Sequence, residues 1–175
     1  MLAIIGLGIF GIGVAYNAVT AQPRRLLHDH PVTIGTAAIE LTTGSGTATL
    51  SAANMAPGDV VSAAITITNS GREAMAYGMR AGDISTGSKA LATALILTVR
   101  TVGSSCADFD GTILYEGPLG AATFGQDGDS RPLAGATADI LCFRALLPVD
   151  TGDALQGAAT SVTLMFGAGA LAAAR

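Results

Sequence analysis

Histidine and aspartate supply the few side chains of this 175-residue chain that could hold a metal ion. The two histidines, His28 and His30, stand two residues apart and would face the same way on a strand. A zinc peptidase motif instead places two helical histidines four residues apart with a glutamate between them. Asp127 and Asp129 offer oxygen ligands for Ca²⁺ but lack the spacing of an EF-hand loop. These four residues are therefore weak metal candidates, solvated segments are the favoured interpretation, and no cofactor is predicted.

The sequence also lacks the arrangement of residues that nucleophilic catalysis would need. A Ser-His-Asp site needs a histidine that the fold can position, and both histidines lie in a short polar stretch near the N-terminus. The sole lysine, Lys89, follows Ser88 in a stretch rich in glycine and serine, with nothing to desolvate it. We therefore expect no enzymatic activity.

The two cysteines, Cys106 and Cys142, are predicted to form one disulfide. The N-terminal segment predicts export, and an even count of cysteines in an exported chain indicates pairing. The bond would close a loop of about 36 residues and contribute about 3–4 kcal/mol by the chain-entropy model. It would also tie the irregular segment 104–110 to the strand that holds Cys142. Two buried thiols are the alternative.

The N-terminal segment predicts export. Residues 2–15 are uncharged and mostly apolar, about the length of a signal-peptide core and shorter than the ~20 residues of a spanning helix. Val19-Thr20-Ala21 offers a cleavage site for signal peptidase, although no Lys or Arg precedes the apolar run. The sequence thus predicts a signal peptide over 1–21 and a secreted protein, extracellular or at the cell surface. A buried N-terminal helix or a retained anchor is the alternative.

The composition favours a tightly packed sheet protein that stays assembled. Charged residues make up 13% of the chain, against an ordinary value of about 25%, and there are 23 glycines. The net charge is −4, and no basic cluster exceeds Arg24-Arg25. A nucleic-acid partner is therefore not expected.

The clearest strand lies within residues 54–71. Residues 55–59 form a turn, since Pro57 fixes φ and Gly58 accepts a positive φ. Val60–Asn69 then alternates apolar and polar residues and is rich in β-branched types, which predicts a half-buried antiparallel strand.

Further short strands give the fold class. They are predicted over 32–41, 47–50, 74–81, 95–101, 112–116, 140–147 and 161–166, with a helical turn allowed before 95 and loops over 82–89 and 117–135. This pattern favours an all-β fold, an antiparallel β-sandwich of jelly-roll type. The predicted organisation is an N-terminal arm over 22–31, one sandwich domain over 32–167 and a C-terminal tail over 168–175.

Two blocks of sequence resemble the TasA/camelysin family of secreted bacterial fibre-forming proteins. The first reads N-x-x-PGD-x-V and then I-T-I-x-N-x-G, and the second follows the second cysteine. The residues that carry the resemblance are Asn54, Pro57, Gly58, Asp59, Asn69, Gly71, Leu141, Cys142, Pro148, Thr151, Gly152, Gln156 and Gly157. With the leader, the resemblance covers most of the chain in the family's order.

The resemblance implies a structural function. It implies a subunit of an extracellular or cell-surface fibre of the biofilm-matrix type, with itself and accessory fibre subunits as partners. Camelysin-type members are commonly labelled metalloendopeptidases, so a secreted metallopeptidase is the alternative. A monomeric surface adhesion module is a third hypothesis.

Donor-strand complementation is the predicted mode of assembly. After cleavage, the arm over 22–31 would be free to insert into the next subunit together with the strand-prone segment 32–41, which is β-augmentation. Donor and acceptor are different surfaces, so the contact would propagate head-to-tail as an open homopolymer. The residues expected to take part are Arg24, Arg25, Leu26, Leu27, Val32 and Ile34. The alternative is that the arm pairs within its own subunit or stays disordered.

Overall fold

The alternation of apolar and polar residues along the chain produces strands that stack in two sheets. The computed structural model describes residues 34–41, 44–87, 89–126, 129–151 and 153–171. In these ranges lie strands β1 (Ile34–Leu41), β2 (Gly44–Ala53), β3 (Val60–Asn69), β4 (Met75–Gly87), β5 (Ile96–Thr101), β6 (Ile113–Pro118), β7 (Thr123–Phe124), β8 (Arg131–Leu133), β9 (Ala138–Leu146) and β10 (Ala159–Ala170), with helix α1 (Lys89–Ala94) and 3₁₀ turns at Leu119–Ala121 and Asp153–Leu155. The predicted all-β sandwich is confirmed.

Strand order places β9 and β10 at the centre of the two sheets. Sheet A has the order β1-β3-β9-β5-β6, and sheet B has the order β2-β10-β4-β7, with β8 also pairing with β4. All of these pairings are antiparallel except one. The predicted first strand, β1, runs parallel to β3, from Ile34 opposite Ser62 to Leu41 opposite Asn69. It forms one edge of sheet A.

The core lies between the sheets and is filled by the apolar face of each strand. In β3, Ile65 and Ile67 are buried, as their parity predicts, and Val61 and Ala63 pack against the core from partly buried positions. Other side chains with almost no exposure come from both sheets, from α1 and from the residue after it: Tyr77, Phe143, Phe166, Met75, Met79, Leu91, Leu95, Leu97 and Leu141. Burial of one such large apolar side chain contributes about 1.5–3 kcal/mol.

Two predicted loops are wrong. Residues 82–89 continue β4 to Gly87 and then begin α1, and Thr86 pairs with Ser161 on β10. The segment shows no apolar alternation, but ladder hydrogen bonds use the backbone and do not require it. The segment 117–135 contains β7, β8 and the fully buried Leu119. Isolated apolar anchors between turn residues hold this segment on the sandwich.

The C-terminal boundary of the sandwich also differs from the prediction. β10 continues to Ala170, past the expected boundary at residue 167, and Ala168 pairs with Gly44 on one side and Tyr77 on the other. Because Gly44 is part of this pairing, β2 begins three residues before the predicted strand at 47–50. The Gly- and Ala-rich sequence has low strand propensity, but pairing with β4 continues to Ala170 and satisfies its backbone on that side. The helical turn before residue 95 and the strand after it are confirmed.

Candidate functional site

The two sequence blocks that carry the family resemblance meet at one end of the sandwich. The N–H of Gly58 donates to the carbonyl of Leu147 at 2.7 Å, and the N–H of Leu147 donates to the carbonyl of Asp59 at 3.0 Å. The N–H of Asn54 donates to the carbonyl of Ala158 at 3.1 Å, next to the second block's Gly157. The turn before β3 and the chain after β9 are therefore held by each other.

Several residues in this contact have backbone conformations that favour their residue types. Gly58 has φ +93° and Gly157 has φ +74°, values that L-residues with a side chain rarely adopt. Asn54 has φ +53°, which asparagine tolerates better than most residues. The Asp59 carboxylate accepts a hydrogen bond of 2.8 Å from the N–H of Ala56, which closes the predicted turn.

The remaining residues of the second block lie on β9 and the turns after it. Leu141 is fully buried, and the N–H of Thr151 donates to the carbonyl of Pro148 at 3.2 Å. Gly152 lies outside the described residues. Most of the block thus shapes the chain between β9 and β10.

Asn69 joins the end of β3 to the loop before β9. Its side-chain amide is buried and donates to the carbonyls of Glu73, Leu133 and Ala134 at 2.9, 3.2 and 3.1 Å. Its side-chain oxygen accepts from the N–H of Gly71 at 3.0 Å. The asparagine of the first block therefore has a structural role. No other side chain of this size combines an N–H₂ donor for these carbonyls with an oxygen that accepts from Gly71.

A polar cluster that sequence reasoning missed connects the two sheets. The Tyr77 hydroxyl on β4 donates to the Asp139 carboxylate on β9 at 2.6 Å. Arg131 on β8 forms an ion pair with the same carboxylate oxygen at 2.7 Å and donates to the tyrosine oxygen at 3.2 Å. Burial, together with the hydrogen bond to Asp139, raises the pKa of Tyr77 far above its usual value. One signal was present in the sequence, since Asp139 shares the strand parity of the buried Leu141 and Phe143.

The predicted disulfide is confirmed. Cys106 and Cys142 are bonded, with their Cα atoms 5.2 Å apart, and the bond ties the segment after β5 to the outer face of sheet A. The same segment presents Phe109 to two cations: the guanidinium carbons of Arg144 and Arg100 lie 4.0 and 5.1 Å from the ring centroid. Cation–π contacts of this kind contribute about 0.5–2 kcal/mol, so they help the disulfide to hold the segment in place.

Hydrogen bonds fix the rest of this segment. The hydroxyl and the N–H of Ser104 donate to the Asp110 carboxylate and hold the pKa of that group below its usual range. The Ser105 hydroxyl donates to Asp108 at 2.7 Å. The two aspartates therefore shape the loop from within.

The predicted metal candidates are not brought together. His28, His30 and Asp127 lie outside the described residues, and Asp129 is exposed. Within the described ranges, no three His, Cys, Asp or Glu side chains are close enough to hold a metal ion. Ser88 also lies outside those ranges, and Lys89 is the first residue of α1.

Of the predicted assembly residues, the structure describes Ile34 alone, at the edge of sheet A. Arg24, Arg25, Leu26, Leu27 and Val32 lie outside the described residues, whereas Ile34 begins β1. β1 lies at the end of the strand order and pairs with β3 of its own chain. The part of the candidate donor that the structure describes is therefore an edge strand paired within its subunit.

Sheet B ends in a second edge strand on the same side of the sandwich. β2 pairs with β10 over ten consecutive residues without a register shift, and it contacts β1 across the sandwich. Among the described residues, no strand pairs with the other side of β2. The outer face of sheet B carries a shallow hollow of about 390 Å³ lined by Gly78, Gly167 and Gly169 among others.

Comparison with known proteins assigns the chain to no family. No protein-family model and no curated protein matches the chain. One solved structure with a similar course is that of Aeromonas hydrophila PliG, a periplasmic lysozyme inhibitor of g-type lysozyme. It aligns with a TM-score of 0.36 and 11% identity, over 78% of this chain and all of that chain.

The disulfide identifies the compartment in general terms. Disulfides of this kind persist in oxidising environments, so the protein is a secreted or cell-envelope protein. No helix in the described part of the chain is long and apolar enough to cross a membrane.

Proposed function

We propose that the protein is a TasA/camelysin-like structural subunit of an extracellular or cell-surface fibre of the biofilm-matrix type. Subunits assemble head-to-tail by exchanging the first strand together with the arm that precedes it. The observation that carries the proposal is the position of β1 at the edge of sheet A, in parallel pairing with β3.

β1 is attached in a way that permits exchange. It pairs along one side only, over eight residues of β3, and only two residues of sequence separate it from β2. The same eight positions of β3 accept an identical strand from another copy with identical backbone hydrogen bonds. Exchange of an identical element is a low-cost route to assembly, because the hydrogen bonds that one subunit gives up form again in the next.

The edge of β3 that β1 leaves is the acceptor for the next subunit. A subunit whose β1 has left presents the unpaired N–H and C=O groups of β3, and an unpaired sheet edge is a template for another chain. The donor lies before β2 and the acceptor lies on β3, so each subunit carries both and growth is open-ended. The arm over 22–31 and the start of the following segment add contacts to the neighbouring subunit, with Leu26, Leu27 and Val32 as their apolar residues. Cleavage by signal peptidase frees this arm, and accessory subunits cap or anchor the fibre.

A pair of cysteines placed across β1 and β3 tests the exchange directly. Ala38 lies opposite Thr66 in the register, so we expect the double variant Ala38→Cys/Thr66→Cys to cross-link as filaments form. Exchange between subunits produces a ladder of covalent oligomers on a non-reducing gel. The single variant Thr66→Cys is the control and gives no ladder. Cross-links found solely within one chain, in a preparation that shows no filaments, would overturn the proposal.

The peptidase alternative is separated in the same preparations. Negative-stain electron microscopy of the secreted protein is combined with a casein cleavage assay, with and without chelator. Filaments without cleavage support the structural function, and chelator-sensitive cleavage would support the peptidase instead.

A further inference from the structure

The outer edge of β2 is the one edge in the described part of the molecule that carries no protection against pairing. Natural sheet edges are blunted by short strands, prolines, charges or bulges. β7 and β8 have two and three residues, and β8 contains Pro132. β6 ends at Pro118, carries the exposed Glu116 and pairs across a register shift, and β1 contains Glu40. β2 has ten residues with no proline, no charge and no bulge.

We propose that β2 is a self-docking edge, which pairs antiparallel with β2 of a second copy and merges two B sheets into one. In an antiparallel pair, every second residue directs its N–H and C=O away from its partner strand. The regular register with β10 therefore leaves a continuous row of such groups on the outer side of β2.

A second copy fits this edge because β2 complements itself. The strand has no charged residue, so two antiparallel copies oppose no like charges. The outward side chains Ser45, Thr47, Thr49 and Ser51 are exposed hydroxyl residues, and pairs of such residues across strands are favourable. On the other face, Ala48, Leu50 and Ala52 are 8%, 6% and 4% exposed, and pairing extends this apolar face into the partner's.

The faces of the strand restrict the register. A two-fold axis that passed between Ala48 and Thr49 would set an inward residue opposite an outward one, and the faces would not match. The axis therefore lies between the two strands, at the level of a residue. With Thr49 or Ala48 at the axis, Thr49 of one copy lies opposite Thr49 or Thr47 of the other.

This contact is isologous, whereas strand exchange through β1 and β3 is head-to-tail. The two contacts use different sheets. If subunits form filaments, β2 pairing joins two filaments side by side. If they do not, β2 pairing yields a closed dimer. The inference thus goes beyond the proposed function and stands without it.

The test first places like charges at position 49 of both copies, and then combines opposite charges at that position. We expect Thr49→Lys to weaken self-association of the secreted protein by about tenfold or more in sedimentation velocity runs over a dilution series. Thr163→Lys is the matched control, because Thr163 lies beside Thr49 on the same face but on the central strand β10. We expect it to leave the association unchanged. Mixing Thr49→Lys with Thr49→Asp should restore pairing, as a mixed species.

Three results would overturn the inference. The first is a wild-type protein that shows neither dimers nor paired filaments. The second is a Thr49→Lys protein that associates as the wild type does. The third is an intact protein that does not pair although a variant without residues 22–31 does, which would show that the chain's own arm covers β2. Single filaments that persist in Thr49→Lys support strand exchange independently of β2.

Discussion

The hydroxyl of Tyr77 donates a 2.6 Å hydrogen bond to the carboxylate of Asp139, and this bond crosses from sheet B to sheet A. Arg131 contacts both partners, so one cation, one carboxylate and one phenol form a closed cluster at the edge of the core. A bond between the layers resists their sliding, which apolar packing alone resists weakly because it has no direction. The cluster therefore adds a directional bond between the two sheets at this position.

We expect Tyr77→Phe to lower the free energy of unfolding by about 1–3 kcal/mol, because the partly buried carboxylate of Asp139 loses one donor. Urea unfolding followed by circular dichroism measures the change. Tyr115→Phe is the matched control, since the Tyr115 hydroxyl donates to the carbonyl of Pro118 at an exposed position. Equal losses in the two variants would contradict a special role for the cluster.

The protein should lose stability in alkaline solution through Tyr77. Burial raises the pKa of this hydroxyl above 10.0, its ordinary value, so the folded protein holds the proton more tightly than the unfolded chain does. The stabilisation is complete below a pH of about 10 and declines as the pH rises further. Unfolding midpoints measured across this range should fall less steeply in Tyr77→Phe. Burial also raises the pKa of Tyr115, so part of the decline remains in that variant.

Replacement of Asn69 by aspartate should be strongly destabilising at neutral pH. The change sets a carboxylate oxygen against three backbone carbonyls that now accept bonds of 2.9–3.2 Å from the amide. We expect a loss of about 3 kcal/mol or more in thermal unfolding, with partial recovery in acid as the carboxyl regains a proton to donate. Asn54→Asp is the control, because Asn54 is exposed and aspartate tolerates its positive φ. A mild effect at Asn69, similar to that at Asn54, would contradict the structural role of the Asn69 side-chain hydrogen bonds.

Removal of the disulfide should reduce the free energy of unfolding by about 3–4 kcal/mol, the chain-entropy value for a closed loop of 36 residues. The double variant Cys106→Ala/Cys142→Ala tests this in urea, with and without reductant. The wild type should respond to reductant and the variant should not. A variant as stable as the oxidised wild type would show that the contacts of Phe109 hold the segment unaided.

The sequence predicted those parts of the fold that depend on local chemistry. The strand at 60–69 was visible because its β-branched residues alternate, and its preceding turn because Pro57, Gly58 and Asp59 each favour one backbone conformation. The end of β4 and the end of β10 were missed because their Gly, Ser and Ala residues carry no pattern. Their strand conformation is imposed by neighbours, since Gly87 pairs with Thr160 and Ala170 pairs with Met75.

The site residues divide in the same way. The disulfide could be predicted from a count of cysteines and the expectation of export. The Tyr77 cluster could not, because its partners lie 62 and 54 residues away in the sequence and only the stacking of the sheets brings them together. Asn69 was visible as part of a turn, but its bonds to Leu133 and Ala134 depend on the same long-range packing.

The central positions of β9 and β10 have a consequence for the order of events in the cell. β9 lies between β3 and β5, and β10 lies between β2 and β4, yet both follow residue 137 in the chain. A polypeptide exported from its N-terminus delivers β1 to β8 before either central partner emerges, and neither sheet closes until then. Such dependence on distant partners slows folding. Both sheets therefore remain incomplete until nearly the whole polypeptide is available, so we expect the sandwich to form after release of the chain rather than during its synthesis or export.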